Sequence, residues 1–138
     1  ADKGRTWTVF ETPVLQNEPT QGAYTVDFYD AAQGIIYGGD YTKPEDNVAN
    51  IATTVNGGKS WQLTASGAND GFKSCVRYVP NSGGKEIIAL GFTGISYSKD
   101  SGNTWSTISD EALLSFRFAN DTVAYASGRN KIVKLTFR

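Results

Sequence analysis

The chain has 138 residues, 39% of them hydrophobic, and 13 basic against 14 acidic residues leave a net charge of −1. That is room for a real core, with no electrostatic footprint for nucleic acid or an anionic membrane. Histidine is absent, which excludes a Ser-His-Asp triad and any His-containing metal site, so neither a metal nor a cofactor is expected. A single cysteine, Cys75, cannot form an intramolecular disulfide, and no apolar run of 18 residues exists to span a membrane.

In chain order the first predicted strand runs from Trp7 to Phe10, followed by a long loop from Thr12 to Ala23. Alternation then predicts a strand over Tyr24 to Tyr29, a turn at Asp30 to Gly34, and a continuous apolar strand over Ile35 to Gly38. A polar loop, Asp40 to Ala49, leads to a third strand at Ile51 to Thr54 and a fourth at Trp61 to Thr64. The same order returns: Ser74 to Val79, Ile87 to Leu90, Ile95 to Ser98 and Trp105 to Ile108. It returns once more, without a fourth strand, at Ser115 to Ala119, Val123 to Ala126 and Ile132 to Leu135. Ser109 to Leu114 has room for one helical turn at most. Continuous apolar second strands suit sheets covered on both faces.

One frame marks each fourth strand. Ser98-Lys99-Asp100-Ser101-Gly102-Asn103-Thr104-Trp105 fits S-x-D-x-G-x-T-W throughout, and Thr54 to Trp61 keeps it with Asn56, Gly58 and Trp61. The chain opens inside the same frame with Asp2, Gly4 and Trp7, so its third position recurs at residues 2, 56 and 100. The acid or amide there is placed to accept hydrogen bonds from backbone N–H groups two or three residues on. The glycine permits positive φ, and the tryptophan opens a strand with a large face to bury. Trp61 and Trp105 are therefore expected to be mostly buried, and the frame to be structural.

Four-stranded antiparallel units in a repeating order make an all-β fold of β-propeller blades, about three of them. The division is a fourth strand within residues 1–13, blades over 24–65 and 73–109, and three strands of a split blade over 113–138. The chain contains no methionine and starts inside a motif, so a piece of a six- or seven-bladed ring is expected. The other option is two copies that self-associate through open blade edges.

The frame and its recurrence resemble the Asp box, or BNR repeat, of propeller families that include sialidases, xyloglucan-degrading glycosidases, sortilin-type receptors and photosystem II assembly factors. The resemblance implies boxes at the outer edge of the ring and ligands on the opposite face, made by the loops between fourth and first and between second and third strands. It implies an exported compartment, periplasmic or extracellular. It implies a non-enzymatic binding or assembly scaffold for a protein or carbohydrate ligand, with a fragment of a sialidase- or xyloglucanase-like glycoside hydrolase as the alternative. The sialidase F/Y-R-I-P motif is missing and its Tyr-Glu pair cannot be placed, so no catalytic residue is assigned.

Candidate binding residues fall in two groups. Asp27, Arg77 and Arg117 hold one register position in three first strands, which line the ring axis. They are either a salt-bridge set or, through the two arginines, an anion site. Tyr41, Asp46, Asp70 and Arg129 lie on the loop face, as do Asp40 and Asp110, and any catalytic carboxyl pair would have to come from these acids. Cys75 reads as a small core residue.

Overall fold

A computed structural model describes residues 3–137, so Asp2 lies outside the described residues. These carry eleven strands and no helix. β1 (Gln21–Phe28), β2 (Gly34–Asp40), β3 (Ile51–Thr54) and β4 (Gln62–Leu63) form the first antiparallel sheet. β5 (Cys75–Tyr78), β6 (Ile87–Gly91), β7 (Gly94–Ser98) and β8 (Ser106–Ser109) form the second, and β9 (Ser115–Phe118), β10 (Val123–Gly128) and β11 (Lys131–Thr136) the third. In each sheet the strands lie side by side in chain order. The apolar second strands are interior: every residue of β2 and β6 is buried. The helical turn allowed for Ser109 to Leu114 is not taken up.

Alternation along the second strands joins the sheets. Ile35 and Tyr37 of β2 pack with Val76, Tyr78, Ile87 and Ala89, between the first and second sheets. Ile88 and Leu90, one residue out of phase, face the other way and pack with Phe116, Ala124 and Ala126 of the third. The first strands are tied by side chains that cap a neighbour's free amides. Thr25 accepts from Val76 N at 3.1 Å, and Asp27 Oδ2 accepts from Tyr78 N at 2.8 Å. An edge strand thereby loses the open backbone row that invites foreign pairing.

The recurrent frame closes the turn before β4 and before β8. Ser98 Oγ accepts from Gly102 N at 2.9 Å, and Asp100 Oδ1 accepts from Thr104 N at 2.8 Å. Thr54 Oγ1 takes Gly58 N at 3.1 Å, and Asn56 Oδ1 takes Ser60 N at 3.0 Å. The acceptor thus reaches four residues on, not two or three. The reason is that the fourth and fifth positions both have positive φ: 73° and 81° at Gly57 and Gly58, 61° and 90° at Ser101 and Gly102, and 56° and 78° at Lys3 and Gly4. Two left-handed residues in a row turn the chain so that the next amides point back at the third position.

Two expectations fail locally. Trp61 and Trp105 are half-buried. Trp105 meets Tyr37 of the preceding sheet edge-on at 5.4 Å, but its Nε1 donates to Gly102 O at 3.0 Å, which ties the ring to its own turn on the rim. Trp7 to Phe10 form no strand, and Trp7 is 86% exposed. A strand requires a neighbouring backbone, and no described strand offers it one. Phe10 nonetheless lies beside Gly57, Gly58 and Trp61 on the open face of the first sheet. Thr64, the residue three after its own tryptophan, reaches Gly102 O at 3.2 Å in the same way one sheet later.

Candidate functional site

The strand ends opposite the frame turns deliver a row of aromatic rings. Tyr41 is the first residue after β2 and Phe92 the first after β6, while Phe72 stands just before β5. Tyr24 sits where the β1–β2 register slips between Ala23 and Thr25. Tyr41 and Tyr24 meet edge-on at 6.0 Å, Tyr24 and Phe72 at 5.0 Å, and Phe72 stacks on Phe92 at 5.7 Å. Phe72 is buried beneath the row; Tyr24, Tyr41 and Phe92 are exposed by 43%, 45% and 50%. Tyr24 and Tyr41 thus form one exposed aromatic pair, and Phe92 a separate exposed ring seated on buried Phe72.

The loops under the row are cross-tied. Asn69 Nδ2 donates to Asn47 O and Ala65 O, both at 2.8 Å, and its Oδ1 accepts from Tyr37 OH and Gly71 N. Phe72 N donates to Pro44 O at 2.8 Å. A surface held by so many backbone contacts is ordered before any ligand arrives, which lowers the entropic cost of binding.

Two buried charged side chains lie beside it. Asp40, 2% exposed, accepts from Thr42 Oγ1 at 2.6 Å, Thr42 N at 2.9 Å and Gln21 Nε2 at 3.3 Å. These bonds, the Thr42 hydroxyl foremost, outweigh burial and hold its carboxyl down to about 2. Among the described residues no cation stands within ion-pair distance of it. A general acid requires the opposite shift. Lys73 is fully buried, with Nζ donating to Thr93 Oγ1 at 2.8 Å and Gly94 O at 3.1 Å. Burial lowers its amine to about 8, against the partial support of Asp70 and Glu45. The unfolded chain then holds the proton over a range where the folded chain has lost it. Stability is expected to rise between about pH 8 and the ordinary lysine value. Denaturation at stepped pH checks this, and Lys73→Met is expected to flatten the rise.

The residues singled out in sequence are dispersed. Asp27 and Arg77 meet at 3.7 Å, with Arg77 Nη1 also donating to Val26 O at 3.1 Å and Val76 O at 2.9 Å. Arg117 holds the same register, opposite Tyr125 as Arg77 is opposite Ile88, but it is exposed on the open face of the third sheet. Among the described residues no hydrogen-bond or ion-pair partner is shared by the two arginines. Tyr41 belongs to the aromatic row. Asp70 Oδ2 accepts from Ser96 Oγ at 2.6 Å, while Asp46 and Arg129 are exposed on separate loops. Cys75 is buried against Phe116. Sequence reasoning missed Tyr24, Phe72, Phe92 and Lys73 as site residues. The usable signal was positional, an aromatic immediately after two successive second strands.

No protein-family model matches the chain, and no curated protein matches it. Among solved structures, one of YCF48 bound to D1 peptide superposes with a TM-score of 0.60 and 18% identity, over 90% of this chain and 43% of that one. A second, of YCF48 from Cyanidioschyzon merolae, gives a TM-score of 0.40 and 12% identity, over 85% of this chain and 51% of that one. The chain spans less than half of the first. The class of protein is therefore set: successive antiparallel sheets, packed face to face in chain order and shared with YCF48, are the blades of a β-propeller.

Proposed function

We propose that the chain is part of a non-enzymatic binding scaffold of the Asp-box propeller type, which takes an extended segment of another protein on its loop face. The observation that carries this is the aromatic row on cross-tied loops, in which Tyr24, Tyr41 and Phe92 are exposed over buried Phe72. The neighbour YCF48 was captured with a peptide, which supports a polypeptide over a carbohydrate as the ligand. The repeated frame, with its hydroxyl and carboxylate engaged in its own turn, supports the Asp-box assignment and a structural role for it. The uncovered faces of the first and third sheets, with Trp61 and Phe28 on one and Tyr125 and Ile132 on the other, suit completion of the ring by further blades or by a second copy.

An array of arbitrary fifteen-residue peptides tests the reading. The wild-type chain is expected to select a subset, and Tyr41→Ala/Phe92→Ala to bind that subset at least about thirtyfold less tightly, since each aromatic anchor contributes on the order of 1–3 kcal/mol. Ile132→Ala, on the open face of the third sheet, is expected to leave selection unchanged. Equal binding by the wild type and the double variant would sink the idea.

A further inference from the structure

We infer that the segment taken by the loop face is basic, with an arginine or lysine laid on the Tyr24–Tyr41 pair and an apolar residue beside it on Phe92. This rests on the binding function proposed above and names the chemistry of its ligand.

Asp40 lies at the end of β2, directly before Tyr41, and its charge bears on the Tyr24 hydroxyl. That hydroxyl is pushed up first by burial, then by Tyr41 and Asp40. Asp40 remains ionised at any physiological pH and has no cationic partner among the described residues. A carboxylate near the surface and without a counter-charge attracts a cation through a field that salt screens. The two tyrosine rings next to it carry a negative π-face of their own. Both effects favour a cation at that spot and disfavour an anion. The surroundings have the same sign. The loops on this face, 12–20, 41–50 and 64–74, hold Glu18, Glu45, Asp46 and Asp70 besides Asp40 at the end of β2, against Lys43 and Lys73. The amine of Lys73 is buried and engaged by Thr93 and Gly94. Phe92 has no such acid fixed beside it, and its stacking on buried Phe72 offers a flat apolar seat. The pair of subsites therefore reads one positive and one apolar side chain.

The test is fluorescence anisotropy with labelled octapeptide pools in which one position is fixed as Arg, Lys, Gln, Glu or Leu. Arg and Lys pools are expected to bind about tenfold tighter than Gln pools, with Glu pools weakest. The preference is expected to shrink as salt rises from about 0.05 M to about 0.5 M. It is also expected to shrink in Asp40→Asn, which keeps an acceptor for Thr42. Tyr41→Leu, at an exposed position, gives the same reading should Asp40→Asn fold poorly. Arg and Gln pools that bind alike, or Glu pools that win, would overturn the inference, and the binding function would survive if Phe92→Ala still weakened them. Pools that fail to bind, or that ignore Phe92→Ala, would overturn the binding function itself.

Discussion

Phe116→Ala is expected to lower stability by roughly 3–5 kcal/mol, the range for deleting a buried aromatic ring. Phe116 is 2% exposed and stands on β9 among Cys75, Ile88 and Leu90 of the second sheet. Behind it β10 presents Ala124 and Ala126, and Phe116 is the one aromatic ring fully buried in that cluster, with Leu113 beside it and Phe118, Val133, Leu135 and Phe137 only partly buried against it. Neither alanine can expand into the vacancy, and Phe118 meets the ring edge-on at 5.5 Å from the next position but one on the same strand. The cavity would therefore persist, and a persistent cavity sets the upper end of the cost. Urea denaturation followed by tryptophan fluorescence measures it. A loss below about 1 kcal/mol would mean that the third sheet does not depend on the second.

Gly71→Ala is expected to cost roughly 2–4 kcal/mol and to disturb the aromatic row as well. Gly71 has φ 78°, and a Cβ there would stand 2.0 Å from Pro44 O, a backbone atom that cannot swing aside. Pro44 O is also the acceptor for Phe72 N, so relief of the clash would shift the residue on which Phe92 stacks. Gly67 supplies the control, since its φ is 76° and nothing lies within 4 Å of its would-be Cβ. Gly67→Ala is expected to cost only the left-handed strain, on the order of 1 kcal/mol. Thermal melts of both variants separate the terms, and equal shifts would show that the contact with Pro44 is unimportant.

Much of the architecture was legible in the residues themselves. The continuous apolar runs at Ile35 and Ile87 became interior strands because a strand covered on both faces has no use for polar alternation. The frame at Ser98 to Trp105 was legible because a turn built on its own side chains is specified locally. What a distant partner decides was less so. Trp7 to Phe10 have the pattern of a strand, yet pairing is a property of two segments, and pattern alone cannot supply the second. The burial of Trp105 was overestimated because the tie between its Nε1 and Gly102 O competes with insertion into the core, and that of Trp61 because it lies on the open face of the first sheet. The aromatic row escaped notice because its members are separated by up to 68 positions in the chain, from Tyr24 to Phe92, and only the sheet packing makes them neighbours. Lys73 gave no signal at all, since a lysine at a loop end is ordinarily solvated.

The paired left-handed residues of the frame turns bear on how such a chain can change over generations. At the fourth position stand Lys3, Gly57 and Ser101, three chemically unrelated residues, while the fifth is glycine each time, Gly4, Gly58 and Gly102. The fixed content of each turn is thus a few letters, and every other letter is free to drift. Length is equally free at the opposite end, where the loop after the second strand of a sheet runs from ten residues, 41–50 after β2, down to two, 92–93 after β6. Copies of such a unit can diverge until their shared ancestry is invisible in an ordinary sequence comparison while each still closes in the same way. The chain superposes on a solved structure at 18% identity and matches no family model.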